Sequence, residues 1–242
     1  MWVIYKKEIR SFLSSLTAYI VMIVFLMITG LFMWVLGGNT VFDLGLSSMS
    51  VMFNIAPYVF IFLVSAVTMR SFSEEKRLGT LETLSTRPIS DLGVILGKYF
   101  ANITLVVFAL IPTLIYYFSI NELGDSKGNI DTGAMWGSYF GLVLLGAAYT
   151  AIGLFSSAIT ENQIVALILS MLLCLTSYVL LGMLGDIKWL ESIGKSIDWF
   201  GLDYHYYSLS RGVLDTRDVV YFLGFSAMFI WLTKLVYESR KW

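Results

Sequence analysis

Six long apolar runs divide the chain, at about residues 17–36, 49–69, 99–120, 135–158, 164–184 and 219–236. A helix needs about 20 mostly apolar residues to cross the hydrocarbon of a bilayer, so each run can span it. None of the runs carries an acidic residue well inside it. Lys234 sits near one end of the sixth, where its ammonium can snorkel to the interface. Ahead of the first run, Trp2, Tyr5, Ile9, Phe12 and Leu16 recur at spacings of three and four, with Lys6, Lys7, Arg10, Ser11 and Ser14 off that face. Residues 1–16 are therefore expected to form a helix lying in the membrane interface. With Lys6, Lys7 and Arg10 before it, the first run is laid out like a secretory signal. It is longer than the usual core of such a signal and lacks an A-x-A pattern, so retention is expected. The fold class is an all-α membrane protein with six transmembrane helices, built as one domain over residues 1–242.

Composition agrees with the pattern. Hydrophobic residues make up 57% of the chain, charged residues only 14%, and mean hydropathy is +0.77. Soluble domains carry about 25% charged residues, so the preferred solvent here is lipid. A net charge of −1 offers no basic footprint for nucleic acid. Cys174 is the single cysteine and has no intramolecular disulfide partner. His205 is the single histidine, too few ligands for a metal centre, and is expected to be a hydrogen-bonded structural residue. Gly93-Val-Ile-Leu-Gly97-Lys98 superficially resembles a phosphate-binding loop, but it has three residues between its glycines and Tyr99 after the lysine. No G-x-S-x-G motif is present. The chain is expected to have no catalytic, cofactor or metal site of its own.

Basic residues set the expected orientation, because Lys and Arg concentrate on the cytoplasmic side. Lys6, Lys7, Arg10, Arg70, Lys76, Arg77, Arg87, Lys98, Lys234, Arg240 and Lys241 fall on one side of a six-span topology. Lys127, Lys188, Lys195, Arg211 and Arg217 fall on the other. Both termini and residues 70–98 are expected in the cytoplasm.

Residues 70–98 are the most informative connection. A charged cluster with Glu74 and Glu75 leads to Gly79, which permits a sharp change of direction. Leu78, Leu81 and Leu84 then share one face of a short helix, and Arg87-Pro88 ends it. Ser90 is a good N-cap for the next helix, with Asp91 in its first turn. Such a surface helix suits docking into a groove on a soluble partner, and a solvated loop fits the same residues. Glu74-Glu75, Gly79-Thr80-Leu81-Glu82, Arg87-Pro88, Ser90 and Gly97-Lys98 resemble the signature of ABC-2-type permeases. The resemblance implies that this segment is the coupling helix that contacts an ABC ATPase. It also implies that Glu161 and Asn162, in the connection between the fourth and fifth runs, make a second, smaller contact. Two permease copies and two ATPase copies are implied, with ATP and magnesium held by the ATPase, in the cell (inner) membrane.

Residues 185–218 are too long for a turn. Two short helices dipping into the outer leaflet fit them, and so does a folded cap outside the bilayer. Residues 203–218, with His205, Ser208, Arg211, Gly212, Arg217 and Asp218, resemble a narrower branch of the family. That branch contains the permeases of gliding motility and of nitrous-oxide-reductase maturation, the first being the better match. The gliding-motility reading adds a membrane-anchored partner with a large extracytoplasmic domain. An ion-coupled carrier is disfavoured, because the runs lack mid-membrane ionisable groups. An exporter and a non-transporting transmitter of ATP-driven motion remain equally open. Gly146, Thr150, Gly153 and Ser157 line one side of the fourth run, and Ala166, Ser170, Cys174 and Ser177 one side of the fifth. These small faces are expected to be packing seams. Pro57 and Pro112 are expected to kink the second and third spans, and Asn54 and Asn102 to be buried amides.

Overall fold

A computed structural model describes residues 1–36, 48–80, 90–123, 130–185 and 199–239. Among these residues every regular element is helical. Helix α1 covers Trp2–Leu13 and α2 covers Leu16–Trp34. Helix α3, Ser50–Thr68, passes through Met69 into α4, Arg70–Arg77. Helix α5, Asp91–Leu110, leads through a 3-10 turn at Ile111–Thr113 into α6, Leu114–Leu123. Helix α7 is Thr132–Ile159. Helix α8, Gln163–Leu175, continues through a π-helical turn, Thr176–Leu180, into α9, Leu181–Gly185. Helix α10 is Leu202–Ser210 and α11 is Thr216–Glu238. Six helical stretches are long and apolar enough to cross a membrane, so the chain is a multi-pass, all-α membrane protein.

The bundle is built around α3 and α7. Of their apolar windows 72% and 78% are buried, against 22% for α11, so these two form the interior and α2, α8 and α11 turn broad apolar faces outward. Helix α7 touches α3, α5, α8, α10 and α11. Its small residues allow this. A Cβ on Gly146 would come 2.7 Å from Val106 Cγ1, and one on Gly153 would come 2.0 Å from Thr68 Oγ1. On α8, Ala166, Ser170 and Cys174 are buried, and the Ser170 hydroxyl lies 2.8 Å from that of Ser65 on α3. Without a hydrophobic force between helices in lipid, close packing and hydrogen bonds of this kind hold a bundle together. The two expected seams are therefore contacts within the subunit, although Ser177 is only half-buried.

Pro112 lies in the 3-10 turn that divides the third span, where its missing N–H interrupts the α ladder. Pro57 lies inside the unbroken α3. Asn102 is buried as expected, whereas Asn54 is exposed on the outer side of α3. The N-terminal helix also differs from its expected face. Ile4 and Glu8 are buried, Ile9 and Phe12 pack at the edge of the core, and Trp2 and Leu16 are exposed. Helix α1 lies against α5, where Gly97 leaves room: a Cβ there would sit 3.0 Å from the Met1 carbonyl and 3.1 Å from Ile4 Cβ. Packing on a neighbouring helix, with a buried ion pair at Glu8, overrides the simple apolar stripe.

Candidate functional site

The second span does not stop where its apolar residues do. Met69 keeps helical dihedrals (φ −53°, ψ −31°), and the helix runs through Ser50–Arg77, 28 residues. At 1.5 Å per residue that is about 42 Å, well beyond the roughly 30 Å of hydrocarbon. Helix α4 therefore carries the path of α3 beyond the length of its apolar residues while staying packed at the end of the bundle, with Ser71, Phe72, Ser73 and Glu75 buried. Ser157 of α7 clamps the junction: its Oγ accepts from Phe72 N at 2.9 Å and Ser73 N at 3.1 Å, and donates to the Met69 carbonyl at 3.0 Å. Lys76 Nζ donates to the Ala158 carbonyl in the last turn of α7, where a cation is favoured.

Buried charges fix the other side of α4. Lys98 of α5 is 1% exposed and reaches Glu75 Oε1 at 3.0 Å and Glu8 Oε1 at 2.8 Å, and it donates to the Ser71 carbonyl at 2.7 Å. Lys7 reaches the same Glu75 oxygen at 2.7 Å. Partial burial of Lys7 opposes its charge, but the hydrogen bond and charge of Glu75, with the charge of Glu8, outweigh it and raise its pKa. Asn102 donates to Ser71 Oγ at 3.1 Å. Three elements, α1, α4 and α5, are thus joined through two carboxylates and two ammonium groups. A buried ion that loses its partner is costly, so the elements are held in one arrangement. Tyr237 of α11 packs edge-on to Phe72, ring centroids 5.8 Å apart. Both terminal helices therefore share this end of the bundle with α4.

The expected coupling residues divide. Glu75 is an internal ion-pair partner, and Glu74 is half-buried beside it. Gly79 adopts φ +66°, a left-handed turn that ends α4, with its N–H on the Lys76 carbonyl. Leu78 caps the C-terminus of α4 ahead of the left-handed Gly79. It is therefore not part of the helix expected beyond that turn, because the positive φ breaks the helical path there. It is 62% exposed, and Thr80, also exposed, hydrogen-bonds the Glu75 carbonyl at 3.4 Å. Leu81, Glu82, Leu84, Arg87 and Pro88 lie outside the described residues. Ser90 caps α5 by accepting from Gly93 N at 3.2 Å. Asn162 caps α8 by accepting from Ile164 N at 2.9 Å, and Glu161 beside it is exposed. Sequence reasoning missed Glu8 and the burial of Lys98. The available signal was that Glu8 is the only acidic residue before Asp43.

At the opposite end, α10 inserts against α7. Leu202, Tyr206 and Leu209 are buried, and Tyr206 donates to the Phe53 carbonyl of α3 at 2.8 Å. A Cβ on Gly141 would meet Leu209 Cβ at 2.7 Å. Gly212 has φ +80°, and a Cβ there would lie 2.2 Å from Ala134 Cα, so only glycine fits. His205 joins α10 to α11: its Nδ1 is 2.7 Å from Asp218 Oδ1, its Nε2 is 2.9 Å from the Trp199 carbonyl, and its ring stacks on Tyr221 at 3.8 Å. Both ring nitrogens are therefore within hydrogen-bond distance of partners, Asp218 and Trp199. Arg211 lies 3.8 Å over the Tyr207 ring, Ser208 is half-buried, and Arg217 is exposed in the first turn of α11. Residues 186–198, including the first of the two expected outer helices, lie outside the described residues. No group of three or more His, Cys, Asp or Glu side chains that could hold a metal occurs among the described residues.

The sequence matches the ABC-2 family transporter protein model over residues 39–202. Comparison with curated proteins returns no relative. The match takes in the long second helix, the α7 seams and the start of α10. It covers more than half of a chain that folds as six membrane-crossing helices, and the protein belongs to the ABC-2 transporter family as its membrane-embedded permease component.

Proposed function

We propose that this permease turns ATP-driven movement of an ABC ATPase into movement of its second span, through α4 and residues 78–90. The supporting observation is the continuous helical path Ser50–Arg77, clamped at its Met69 junction by Ser157 and held on α4 by Lys98, Glu75 and Glu8. A rigid body carries displacement from its tip to its far end without loss. A partner pushing on the segment that leaves α4 at Gly79 therefore moves α3 and, through Ser157 and Gly153, α7. The ATPase holds the ATP and its magnesium. Leu78, Leu81 and Leu84 seat in a groove of the ATPase, with Glu82 and Arg87 at its rim and Pro88 ending the helix. Thr160-Glu161-Asn162 supplies the smaller contact. In this reading both termini and residues 70–98 are cytoplasmic, in the inner membrane, and two permeases assemble with two ATPases.

The outer segment supports the gliding-motility branch of the family, in which a membrane-anchored partner with a large extracytoplasmic domain joins the complex. The residues that carry the resemblance, His205, Gly212 and Asp218, hold α10 between α7 and α11. That partner therefore has a firm platform to act on.

Leu81→Asp is the test. Loss of one buried apolar anchor commonly costs more than about 1 kcal/mol of binding, whereas a rim charge mainly affects association rate. The variant should insert normally but lose ATPase co-purification or leave hydrolysis uncoupled, while Glu82→Ala should do less. Native mass measurement of the same preparation reads the two-plus-two stoichiometry. Full ATPase binding and full activity in Leu81→Asp would refute the coupling assignment.

A further inference from the structure

At the end of the bundle opposite α4, one side chain faces more acceptors than a neutral ring can serve. His205 is 3% exposed. Its Nε2 lies 2.9 Å from the Trp199 carbonyl, which can only accept, so Nε2 carries a hydrogen. Its Nδ1 lies 2.7 Å from Asp218 Oδ1. A neutral imidazole has a single N–H. With that hydrogen on Nε2, the Nδ1 lone pair would face a carboxylate lone pair at the same 2.7 Å. A second proton therefore lies between Nδ1 and Oδ1. A carboxylic acid is ordinarily the stronger acid of the two, so the ring holds that proton.

The surroundings suit a cation. The Tyr221 ring stacks on the imidazole with centroids 3.8 Å apart, and ring faces attract positive charge. Asp218 is 7% exposed, and among the described residues neither it nor His205 forms another ion pair. The other ionisable groups around the pair are engaged elsewhere. On α10, Asp203 hydrogen-bonds Tyr178, and beyond α10 Arg211 lies over the Tyr207 ring. Asp215 caps α11 at Arg217 N, and Tyr221 donates to the Phe200 carbonyl. Tyr204 packs edge-on to the imidazole, and the Arg217 side chain is exposed. Helices α3 and α7, against which α10 packs, bring no charged side chain. His205 and Asp218 both line an open cavity of about 970 Å³, so water and protons reach the pair.

We propose that His205 and Asp218 form a proton-dependent latch on α10. With the shared proton in place, the imidazolium holds the Trp199 carbonyl on one side and α11 on the other. When the proton leaves, one N–H remains for two acceptors. Either the Trp199 carbonyl loses its donor, or the Asp218 carboxylate is left buried against a lone pair. A buried ion without a partner is costly, so the ring and the carboxylate part. The chain entering α10 then comes away from α11. Tyr206 and Leu209 still hold α10 to α3 and α7, so the change is local. Loss of the proton therefore loosens residues 199–210 and leaves the interior in place. The inference is independent of the coupling role assigned to α4 and of the partner assigned to the outer segment.

His205 is the chain's single histidine, so its ring nitrogens can be read by NMR without assignment in full-length protein carrying isotope-labelled histidine. In detergent at neutral pH, both ring nitrogens should carry hydrogen. The pH is then raised, and amide exchange across residues 199–210 is followed by mass spectrometry relative to α7 in the same sample. That ratio should rise about tenfold or more as Nδ1 loses its hydrogen, because a bond to a charged group goes with it. Asp218→Asn separates the proton from the bonding. A carboxamide N–H can donate to Nδ1 while Nε2–H keeps the Trp199 carbonyl. This variant should hold a neutral ring, and its exchange ratio should stay flat over the same pH range. A neutral ring in wild type at neutral pH would overturn the proposal. So would a flat ratio in wild type as the proton leaves, or an equal rise in Asp218→Asn. A proton kept until the whole protein unfolds would make the pair a fixed link and overturn the latch. If Asp218→Asn does not fold, the coincidence of proton loss and exchange in wild type still decides the question.

Discussion

Lys98 shows most clearly what single residues do here. Its charge looks like a topology marker in the sequence, yet its side chain is 1% exposed and holds two carboxylates and a backbone carbonyl. Lys98→Ala leaves Glu8 and Glu75 facing each other with only the half-exposed Lys7 between them. Removing one member of a buried ion pair costs about 3–5 kcal/mol, so this variant should unfold at a markedly lower temperature in detergent. Lys7→Ala removes a partner that is 53% exposed at its side chain and should cost far less. Similar thermal midpoints for the two variants would show that the cluster carries no weight. Gly79 and Gly212 have a simpler logic. Both adopt positive φ, at +66° and +80°, where a side chain is strained. Gly79 was legible from the charged run before it. The need for Gly212 was not, because its constraint is Ala134, which is remote in sequence.

At the scale of elements, α3, α4 and α7 act as one body. Gly153 permits their approach, and Ser157 inserts into the backbone ladder where α3 becomes α4. Gly153→Ala would place a methyl 2.0 Å from Thr68 Oγ1, on a β-branched side chain held by its own bond to the Val64 carbonyl. Overpacking of this kind typically costs about 1–3 kcal/mol. The variant should lose thermal stability in detergent, and Gly153→Ala with Thr68→Gly should recover much of the loss. No recovery in the double variant would place the damage elsewhere. The small-residue stripe on α7 could be read from spacing alone. The face of α1 could not, because the winning contact is an ion pair at Glu8 with a residue some 90 positions away.

At the scale of the whole molecule, the common end of both terminal helices and α4 turns an expectation about charge into a testable orientation. With this end in the cytoplasm, single cysteines at Lys127 or Lys195 should react with an impermeant reagent from outside the cell, and one at Ser85 should not. The reverse pattern would invert the topology. Six spans and their order were determined by the sequence alone, because a bilayer demands long apolar helices and leaves few alternatives for each run. So were the turn at Gly79, the cap at Ser90 and the packing role of the small residues, all of which depend on near neighbours in the chain. Only the tertiary structure decided that the charges of residues 70–77 continue the second span as helix, that Glu75 and Lys98 face inward, and that α10 wedges between α7 and α11. Each of these depends on groups brought together from distant parts of the chain, and local pattern carries no record of which partner will stand opposite.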